Sequence, residues 1–458
     1  MSDSSRLFAA AFGCMLLVVA CTTVSDTTEP DGAAGAAGEL QPTAAGSGGH
    51  MAASVTVERS SVGANTSPSL PDADFSTFIA HINKFGLALN QAQSKANEFT
   101  QKNLIYSPLS ATVALAMTYA GARGQTASEM KAMLGDSFAG DAFHVAANRL
   151  ARELRTRATS RTDNHGKTHK VELNLVDSIF VERTLMPEAP FLDLLAREYD
   201  SGVRQVDFKH AFEPARIEIN DWVAAETKDR IKDLLPSDSI DESTRIVVVN
   251  ALYFYGSWLA PFAHEITTNA AFHALSGDVQ VPTMHTKTTF DYASHDQFAV
   301  AELLYEGDAL RMTIVLPAPG MFESVRNQVS SAWLEQAVTG VTPTLLQLAL
   351  PKFKLTVGTF SLKAALYELG MKSAFDATAD FSGMFADGGL CISDVLQKAF
   401  ISVDEAGTEA AAATAVVLAP GAAVTNATPF IVDRPFLFFI RDATGSVLFS
   451  GQVVDPSQ

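Results

Sequence analysis

The strongest constraint on the fold of this chain is the run Ile246–Tyr255, which reads IVVVNALYFY. Nearly every side chain in it is β-branched or aromatic. Such residues pack well in strands, and a short continuous apolar run is typical of a strand that is buried on both faces. The chain is therefore expected to build a β-sheet whose central strands are covered on both sides.

Helical periodicity comes first along the chain, and strand-like runs come later. One helix is predicted around 75–89, a second opens at Ser107-Pro108, and a third spans Ile219–Leu235 and stops at Pro236. Further strands are predicted at Met312–Leu316, Thr344–Leu350, Phe436–Ile440 and Val447–Phe449. No regular βαβ alternation is present, which favours an α+β fold over a doubly wound one. We expect a single domain over residues 71–458.

The first 21 residues are typical of an export signal. Arg6 precedes an apolar run that is too short for a comfortable membrane span and suits the core of a signal peptide at 1–20. Val18-Val19-Ala20-Cys21 resembles the lipobox of bacterial lipoproteins, which implies cleavage before Cys21 and lipidation of that cysteine. The alternative is an ordinary signal peptide with a chance cysteine. Both interpretations predict an exported protein, either anchored in the cell envelope or secreted.

Residues 21–70 are rich in Ala, Gly, Ser, Thr and Pro. Such a stretch buries too little apolar surface to fold by itself, so it is expected to be a flexible tether after the lipidated cysteine. The formal net charge of the chain is −18, which disfavours nucleic acids and anionic membrane surfaces as partners. A membrane contact is expected only through the lipid. Cys391 is the one cysteine of the folded region, and no zinc-site spacing occurs, so no disulfide, metal or cofactor is predicted.

The segment from Glu405 to Thr428 is unusual because it is built almost entirely from small residues. Its composition alone would fit a flexible linker as well as any ordered element, but the segment lies between two predicted strands near the C-terminus. In an extended chain, alternate residues share one face. Thr408 and every second residue up to Leu418 would then form a small or apolar face, and Glu409 would lie on the other. The segment is thus compatible with an exposed loop in one state and a strand in another.

Here the sequence resembles the serpin family. The motif of the loop hinge consists of Glu405, Gly407, Thr408, Glu409, Ala410, Ala411, Ala412, Ala413 and Thr414, and it is followed by Arg434-Pro435-Phe436. Other matches are Asn103–Ser110, Asn220 to Ile231, Asn250 to Trp258, Pro351–Lys354 and Asp380–Gly383. The resemblance covers about residues 75–458. It implies the serpin fold, in which helices that are mostly N-terminal pack on a large mixed or antiparallel sheet with smaller sheets and an exposed reactive-centre loop, here 405–428.

The resemblance also implies roles for particular residues. Lys352 and Glu405 would pair where the loop enters the main sheet. Ser107, Ser110, Asn250, Trp258 and Gln397 would belong to the region where the central strands part. The alternative for the serines and Asn250 is an ordinary cap or a satisfied buried polar group. Gln397 stands where serpins often have a histidine, so a pH-sensitive opening would be lost, and Asp229 stands where a glycine is common.

The implied activity is suicide inhibition of a serine protease, with a cysteine protease as a further candidate. The cut loop would insert into the sheet and trap a covalent complex, and the inhibitor would be a monomer. Counting the interval usual in the family from Glu405 places the reactive bond between Gly421 and Ala422, within the window Leu418–Val424. Small residues there and the lack of a basic residue between Glu405 and Asp433 favour an elastase- or subtilisin-like target.

Two alternatives remain open at the level of sequence. One is a serpin-like protein that does not inhibit; bulky or charged residues or proline in the hinge would signal it, but the first proline after Glu405 is Pro420. The other is an exported serine hydrolase, because Ser128 and Lys131 match an S-x-x-K motif. No SDN or KTG partner motif accompanies it.

Overall fold

The fold was analysed in a computed structural model of the chain. It describes residues 11–19, 55–96, 99–164, 166–386, 388–408 and 426–458. The helices are α1 Asp72–Lys95, α2 Pro108–Tyr119, α3 Gly124–Leu134, α4 Ala142–Arg155, α5 Ala189–Tyr199, α6 Phe208–Glu226, α7 Phe322–Arg326, α8 Ser331–Ala337 and α9 Lys363–Glu368.

The strands come in two groups along the chain. The earlier ones are β1 Ala11–Val19, β2 Thr56–Glu58, β3 Leu104–Tyr106, β4 Thr159–Thr162, β5 Thr168–Glu182, β6 Val203–Val206, β7 Ile246–Ser257, β8 Thr268–Ala274 and β9 Gly277–Ser294. The later ones are β10 Phe298–Leu304, β11 Leu310–Pro317, β12 Thr342–Pro351, β13 Phe353–Ser361, β14 Ile392–Asp404, β15 Gly407–Thr408, β16 Thr428–Ile431, β17 Phe436–Asp442 and β18 Val447–Val453. The strand predicted at Ile246–Tyr255 is confirmed as β7.

The main sheet is built around β7 and β14. At one edge, β13 pairs with β14. On the other side of the sheet the order is β7-β5-β6-β2, and β4 pairs with the other end of β5. Between β14 and β7 lies a single column that β1 and β15 share, and both strands are antiparallel to both neighbours. We call this column the insertion slot. Because β7 and β14 both run opposite to the strands in the slot, they run parallel to each other.

The second sheet carries the order β16-β12-β9-β10-β11-β17-β18-β3, with β8 attached to β9. The hydrophobic core lies between the two sheets and contains α2. Every residue from Pro108 to Thr118 in that helix is buried. Ser107 caps the helix, since its side chain accepts a hydrogen bond from the backbone N–H of Ser110. The predicted helix start at Ser107-Pro108 is thus confirmed.

The outer face of the main sheet is covered by α6. Ile219 and Val223 of this helix pack with Val247 and Val249 of β7 and with Leu396 of β14. The helix ends at Glu226, nine residues before the predicted end at Leu235. It also begins at Phe208, eleven residues before the predicted start at Ile219. The prediction ran past the true end because Ile231, Leu234 and Leu235 are buried without being helical, so their apolar spacing reflects packing rather than helical turns.

The end of α6 shows why a glycine would be favourable at the position of Asp229. Lys228 and Asp229 have φ values of 51° and 63°, in the left-handed region that glycine adopts without penalty. We expect Asp229→Gly to raise the free energy of unfolding by roughly 0.5–1 kcal/mol, measured by urea denaturation. The control is Asp221→Gly inside α6, which should lower it by a similar amount. Equal destabilisation by both changes would contradict this explanation.

The body of the fold begins earlier than the predicted boundary at residue 71. Residues 55–70, expected to be part of the tether, lie against it: β2 pairs antiparallel with β6, and the N–H of Asn65 donates to the carbonyl of Arg197 at 2.8 Å. Ser60 donates to Asp193 at 2.5 Å. Composition alone missed this docking because β2 is only three residues long and gains its stability from the sheet edge it joins.

Candidate loop-insertion site

The last residues before the loop make a tight turn at the top of the insertion slot. The carbonyl of Glu405 accepts from the N–H of Phe262 at 2.8 Å, and the carbonyl of Ala406 accepts from the N–H of Trp258 at 2.9 Å. Gly407 and Thr408 then form β15, which pairs with both β14 and β7. The hinge has therefore already entered the sheet by two residues.

The Glu405 side chain fixes this turn to the second sheet. It accepts from Lys352 Nζ at 2.8 Å and from the Thr267 hydroxyl at 2.8 Å, and it is only 6% exposed. Burial alone would raise the pKa of this carboxyl, but the bonds from Lys352, its own backbone N–H and Thr267 outweigh burial and lower the pKa. The pair is the contact that the resemblance implies; its role in loop insertion stays a prediction.

Gly407 is needed because the backbone passes very close to β7. A Cβ atom at this position would lie 2.0 Å from the carbonyl oxygen of Gly256. No side chain fits at that distance without moving the strand. The two glycines therefore allow the chain to turn into the slot against β7.

Thr408 points into the core beneath the slot. It is fully buried, and its hydroxyl lies 2.7 Å from the hydroxyl of Tyr305. Tyr305 is also fully buried, stacks on Trp258 with ring centroids 4.6 Å apart, and has a pKa raised by burial. Trp258 in turn donates from Nε1 to the carbonyl of Asp404 at 3.0 Å. Trp258 thus lies at the hinge, above the region where the resemblance had placed it.

Asp404, which precedes the hinge, is the group most sensitive to pH here. Burial raises its pKa from 3.8 to about 6, although the N–H of Ala406 and the charge of Lys352 oppose the shift. Glu405 adds to the increase, and Lys167 is the further cation facing it.

We expect a pH-dependent stability contribution from Asp404. The unfolded carboxyl loses its proton near pH 3.8 and the folded one near pH 6. The contribution of Asp404 to the free energy of unfolding is therefore most favourable below pH 4, where the group is protonated in both states. It becomes less favourable as the pH rises through 6, because the buried carboxyl must then ionise. Asp404→Asn should therefore raise the free energy of unfolding at pH 8 by about 1–3 kcal/mol and should have little effect at pH 4. Denaturation curves at both pH values check this, with Asp296→Asn in an exposed turn as the control. A gain that is equal at both pH values would contradict it.

A second cluster lies lower, beneath the middle of the slot. The Ser107 hydroxyl donates to the carbonyl of Leu448 at 2.8 Å and lies 3.0 Å from the Ser110 hydroxyl. Gln397 of β14 donates from Nε2 to the carbonyl of Ser107 at 3.3 Å. All three side chains are fully buried. These bonds join the slot, through β14, to α2 and the second sheet.

Two polar atoms are not satisfied, one in this cluster and one in Tyr106 of β3, the residue before Ser107. Gln397 Oε1 and the Tyr106 hydroxyl are buried and have no hydrogen-bond partner. Each such group costs stability relative to a paired one. The backbone of Asn250 lies in β7, across the slot from Gln397 and opposite Asp177 of β5. The region that the resemblance assigns to strand opening thus contains buried polar groups without partners, unlike the Glu405 and Thr408 side chains at the hinge.

Part of the predicted site lies outside the described residues. This applies to Glu409 and the residues that follow it up to Thr414, to the reactive bond Gly421–Ala422 with its window Leu418–Val424, and to Cys21. They stay predictions. The hydrolase alternative receives no support from geometry, since Ser128 lies exposed on α3 and its hydroxyl donates to the carbonyl of Gly124 at 3.0 Å.

Three residues that contact or flank the hinge were not predicted from the sequence. Thr267, Tyr305 and Asp404 are separated in the chain by up to 137 positions and belong to no local motif. Only the approach of β14 to the second sheet brings them together.

Within the described ranges there is no cluster of potential metal ligands, and none of the helices is long and apolar enough to cross a membrane.

Comparison with known protein families identifies one match over most of the chain. The family model for "Serpin (serine protease inhibitor)" matches residues 80–456. The matched region includes both clusters described above and residues 409–427 between β15 and β16.

Relatives from distant organisms match over a similar length. An uncharacterized serpin-like protein of Thermococcus kodakarensis is 38% identical over 77% of this chain and 81% of its own length. Human Serpin B3 is 34% identical over 81% of this chain and 98% of its own. The leukocyte elastase inhibitor of Xenopus laevis is 34% identical over 77% of this chain and 93% of its own.

A solved structure has the same architecture. Thyroxine-binding globulin in complex with thyroxine superposes with a TM-score of 0.71 at 28% sequence identity, covering 83% of this chain and all of the globulin chain. The arrangement of helices on two sheets, predicted above as α+β, is thus found in an experimentally determined relative.

Proposed function

The chain belongs to the serpin family of serine protease inhibitors, and from this premise we propose that it traps a serine protease by inserting its cut loop into the slot between β7 and β14. The observation that supports this is that the first residues of the hinge are already part of the sheet. Gly407 and Thr408 already pair with β7 and β14 at the top of the slot. Insertion therefore needs elongation of an existing strand rather than nucleation of a new one.

The register of β15 fits continued insertion. Thr408 lies opposite Gly256 of β7 and Val403 of β14, so each later residue pairs one position lower on both neighbours. Leu418 would reach Ile246, the first residue of β7. The stretch 409–418 contains no proline and one charge, Glu409. The slot and the loop are thus matched in length and composition.

The proposed chemistry starts as ordinary proteolysis. The protease hydroxyl attacks the carbonyl carbon of Gly421, the bond to the nitrogen of Ala422 breaks, and Gly421 becomes an ester on the enzyme. Each residue inserted moves the ester by about 3.3 Å, so insertion from Thr408 onward carries it roughly 40 Å. Hydrolysis stops because a small displacement of the catalytic groups already costs a large factor in rate.

The proposed target is an elastase- or subtilisin-like protease. Leu418, Ala419 and Pro420 precede the proposed bond, and they suit shallow apolar subsites rather than a deep acidic pocket. The named relative from Xenopus laevis is a leukocyte elastase inhibitor, which agrees with this class.

The test is incubation with elastase and with subtilisin, followed by denaturing electrophoresis and mass spectrometry of the released C-terminal peptide. We expect a covalent complex and a peptide that begins at Ala422. A peptide that begins outside 419–425 would refute the assigned bond. Complete cleavage without a complex would instead favour the alternative of a serpin that does not inhibit, the class suggested by the thyroxine-binding globulin.

We also propose that the mature protein is a monomer anchored by a lipid on Cys21 after removal of residues 1–20. The support is the sequence pattern alone: Arg6, the apolar run and Val18-Val19-Ala20-Cys21. Metabolic labelling with a radioactive fatty acid tests it. We expect label on the chain and none on a Cys21→Ala variant; equal label on both would refute the anchor.

A further inference from the structure

The insertion slot below the hinge is occupied by a segment from the other end of the chain. Strand β1, Ala11–Val19, pairs with β7 in continuous antiparallel register from Phe254 to Ile246. It pairs with β14 from Phe12 to Val19, with one irregularity between Val18 and Val19. We call β1 the leader strand, because it lies within the segment predicted to be a signal peptide.

The leader strand holds the positions that the cut loop would need. Continuing the register of β15 by two residues places Ala410 opposite Phe254, and Phe254 is the partner of Ala11. Continuing it to Leu418 reaches Ile246, which is the partner of Val19. On β14 the same continuation places Ala411 opposite Phe400, the partner of Phe12. Residues 11–19 and 410–418 therefore compete for the same nine places along β7.

We propose that the leader strand blocks the slot in the precursor, and that removal of residues 1–20 converts the chain into an active inhibitor. The second half of this statement rests on the proposed function, whereas occupancy of the slot does not. The leader is suited to the place. It reads AFGCMLLVV, without a charge or a proline, as a central strand paired on both edges and next to the buried helix α2 requires.

The leader strand and the cut loop exclude each other because the slot holds one strand. With the leader in place, β7 and β14 stand two strand spacings apart, about 9–10 Å, and both of their inner edges are paired. Without it, those edges must pair with each other or with another strand. A loop cut in the precursor finds no free edge below Thr408, so the protease completes hydrolysis before insertion.

The connection is long enough for this arrangement. Residues 20–54 link the leader strand to the first described residue of the body, and 35 residues can span more than ~100 Å when extended. The slot and β2 are separated by β7, β5 and β6, which corresponds to only ~20 Å across the sheet.

The natural Cys14 provides a direct test of occupancy. It is opposite Lys398 of β14, at a Cα separation of about 4.5–5.5 Å for an antiparallel pair, which a disulfide can bridge. We expect the full chain carrying Lys398→Cys to form a disulfide between Cys14 and the introduced cysteine on mild oxidation, identified by peptide mass spectrometry. The control is Lys354→Cys on β13, opposite Ser402, which should form none with Cys14. No disulfide in the first variant, or equal yields in both, would overturn the proposed occupancy.

Hydrogen exchange gives a second readout that needs no protease. Amides of residues 12–18 should exchange at least about a hundredfold more slowly than an unstructured chain in the full protein. Leu16→Pro, which removes an amide from the strand interior, should abolish the protection, and Ala44→Pro outside the leader should not. Unprotected amides in the full protein would overturn the proposed occupancy.

The consequence for inhibition is measured last, with subtilisin. We expect the full chain to form covalent complex at least about tenfold more slowly than residues 21–458, and full-length Leu16→Pro to match the shorter chain. Equal rates with a protected leader would overturn the blocking role. If the shorter chain forms no complex at all, the proposed function fails, whereas the disulfide and exchange results still decide occupancy.

Discussion

Replacing Ala412 by glutamate is expected to abolish trapping of the protease, whereas the same replacement at Ala411 leaves trapping nearly intact. Both changes are made in the chain that lacks residues 1–20, so that the slot is free. The two positions are neighbours in the same small-residue run, and they differ in the face of the strand that they occupy after insertion.

The reason for the difference lies in the register. Continued insertion from Thr408 places Ala412 between Leu252 of β7 and Ala399 of β14, both fully buried. Thr408, on the same face, is fully buried too. An ionised carboxylate there would have no partner, and burying it costs several kcal/mol. Ala411 would lie beside Phe400, which is half-buried and has Lys354 Nζ over its ring at 5.6 Å.

The measurement is the rate of covalent complex formation and the fraction of inhibitor that is cut without trapping. For Ala412→Glu we expect a rate at least about a hundredfold lower, with nearly all inhibitor consumed as substrate. For Ala411→Glu we expect a change within about threefold. If both variants lose trapping equally, the face assignment is wrong; if neither does, the loop does not insert.

Cutting the loop of residues 21–458 is expected to raise the melting temperature, on the order of 10–20 °C. Residues 409–418 would gain backbone hydrogen bonds on both sides, and each such bond contributes about 0.5–1.5 kcal/mol net. A gain of roughly 10 kcal/mol in a chain of this size corresponds to a shift of that order. The full-length precursor should show a much smaller rise, because the leader strand already fills the slot.

Differential scanning calorimetry before and after limited cleavage checks this second result. Ala412→Glu in the chain without residues 1–20 is the matched control, and it should be cut without any gain in stability. An unchanged melting temperature of the shorter chain after complete cleavage would contradict loop insertion. An equal rise in the precursor would contradict the block by the leader strand.

The sequence was informative where one residue type carries a local physical requirement. The apolar run at Ile246–Tyr255 became a central strand, and Ser107 became the cap of a buried helix. Gly407 marked a place where the backbone passes too close to β7 for a side chain. The ion pair between Lys352 and Glu405 was found only through the resemblance, since nothing local connects positions 53 residues apart.

Other features depended on contacts between distant segments and could not be predicted from local patterns. The end of α6 was predicted too late because Ile231 and Leu234, which are buried by tertiary packing, have the spacing of a helical face. The docking of β2 depends on a free edge of β6. The pairing of the leader strand with β7 and β14 could not be predicted from its composition, because an apolar run of this kind suits both a signal peptide core and a buried strand.

The placement of Trp258 against the hinge gives this protein an optical reporter of its own activity. Its indole nitrogen is bonded to Asp404, and its ring stacks on Tyr305, the partner of Thr408. Trp222 on α6, the helix that covers the outer face of the main sheet, packs edge-on to Phe180 with ring centroids 5.5 Å apart. Fluorescence emission from the two indoles should therefore change at different times as the loop travels, so stopped-flow traces of Trp222→Phe and Trp258→Phe variants can time its passage without any added dye.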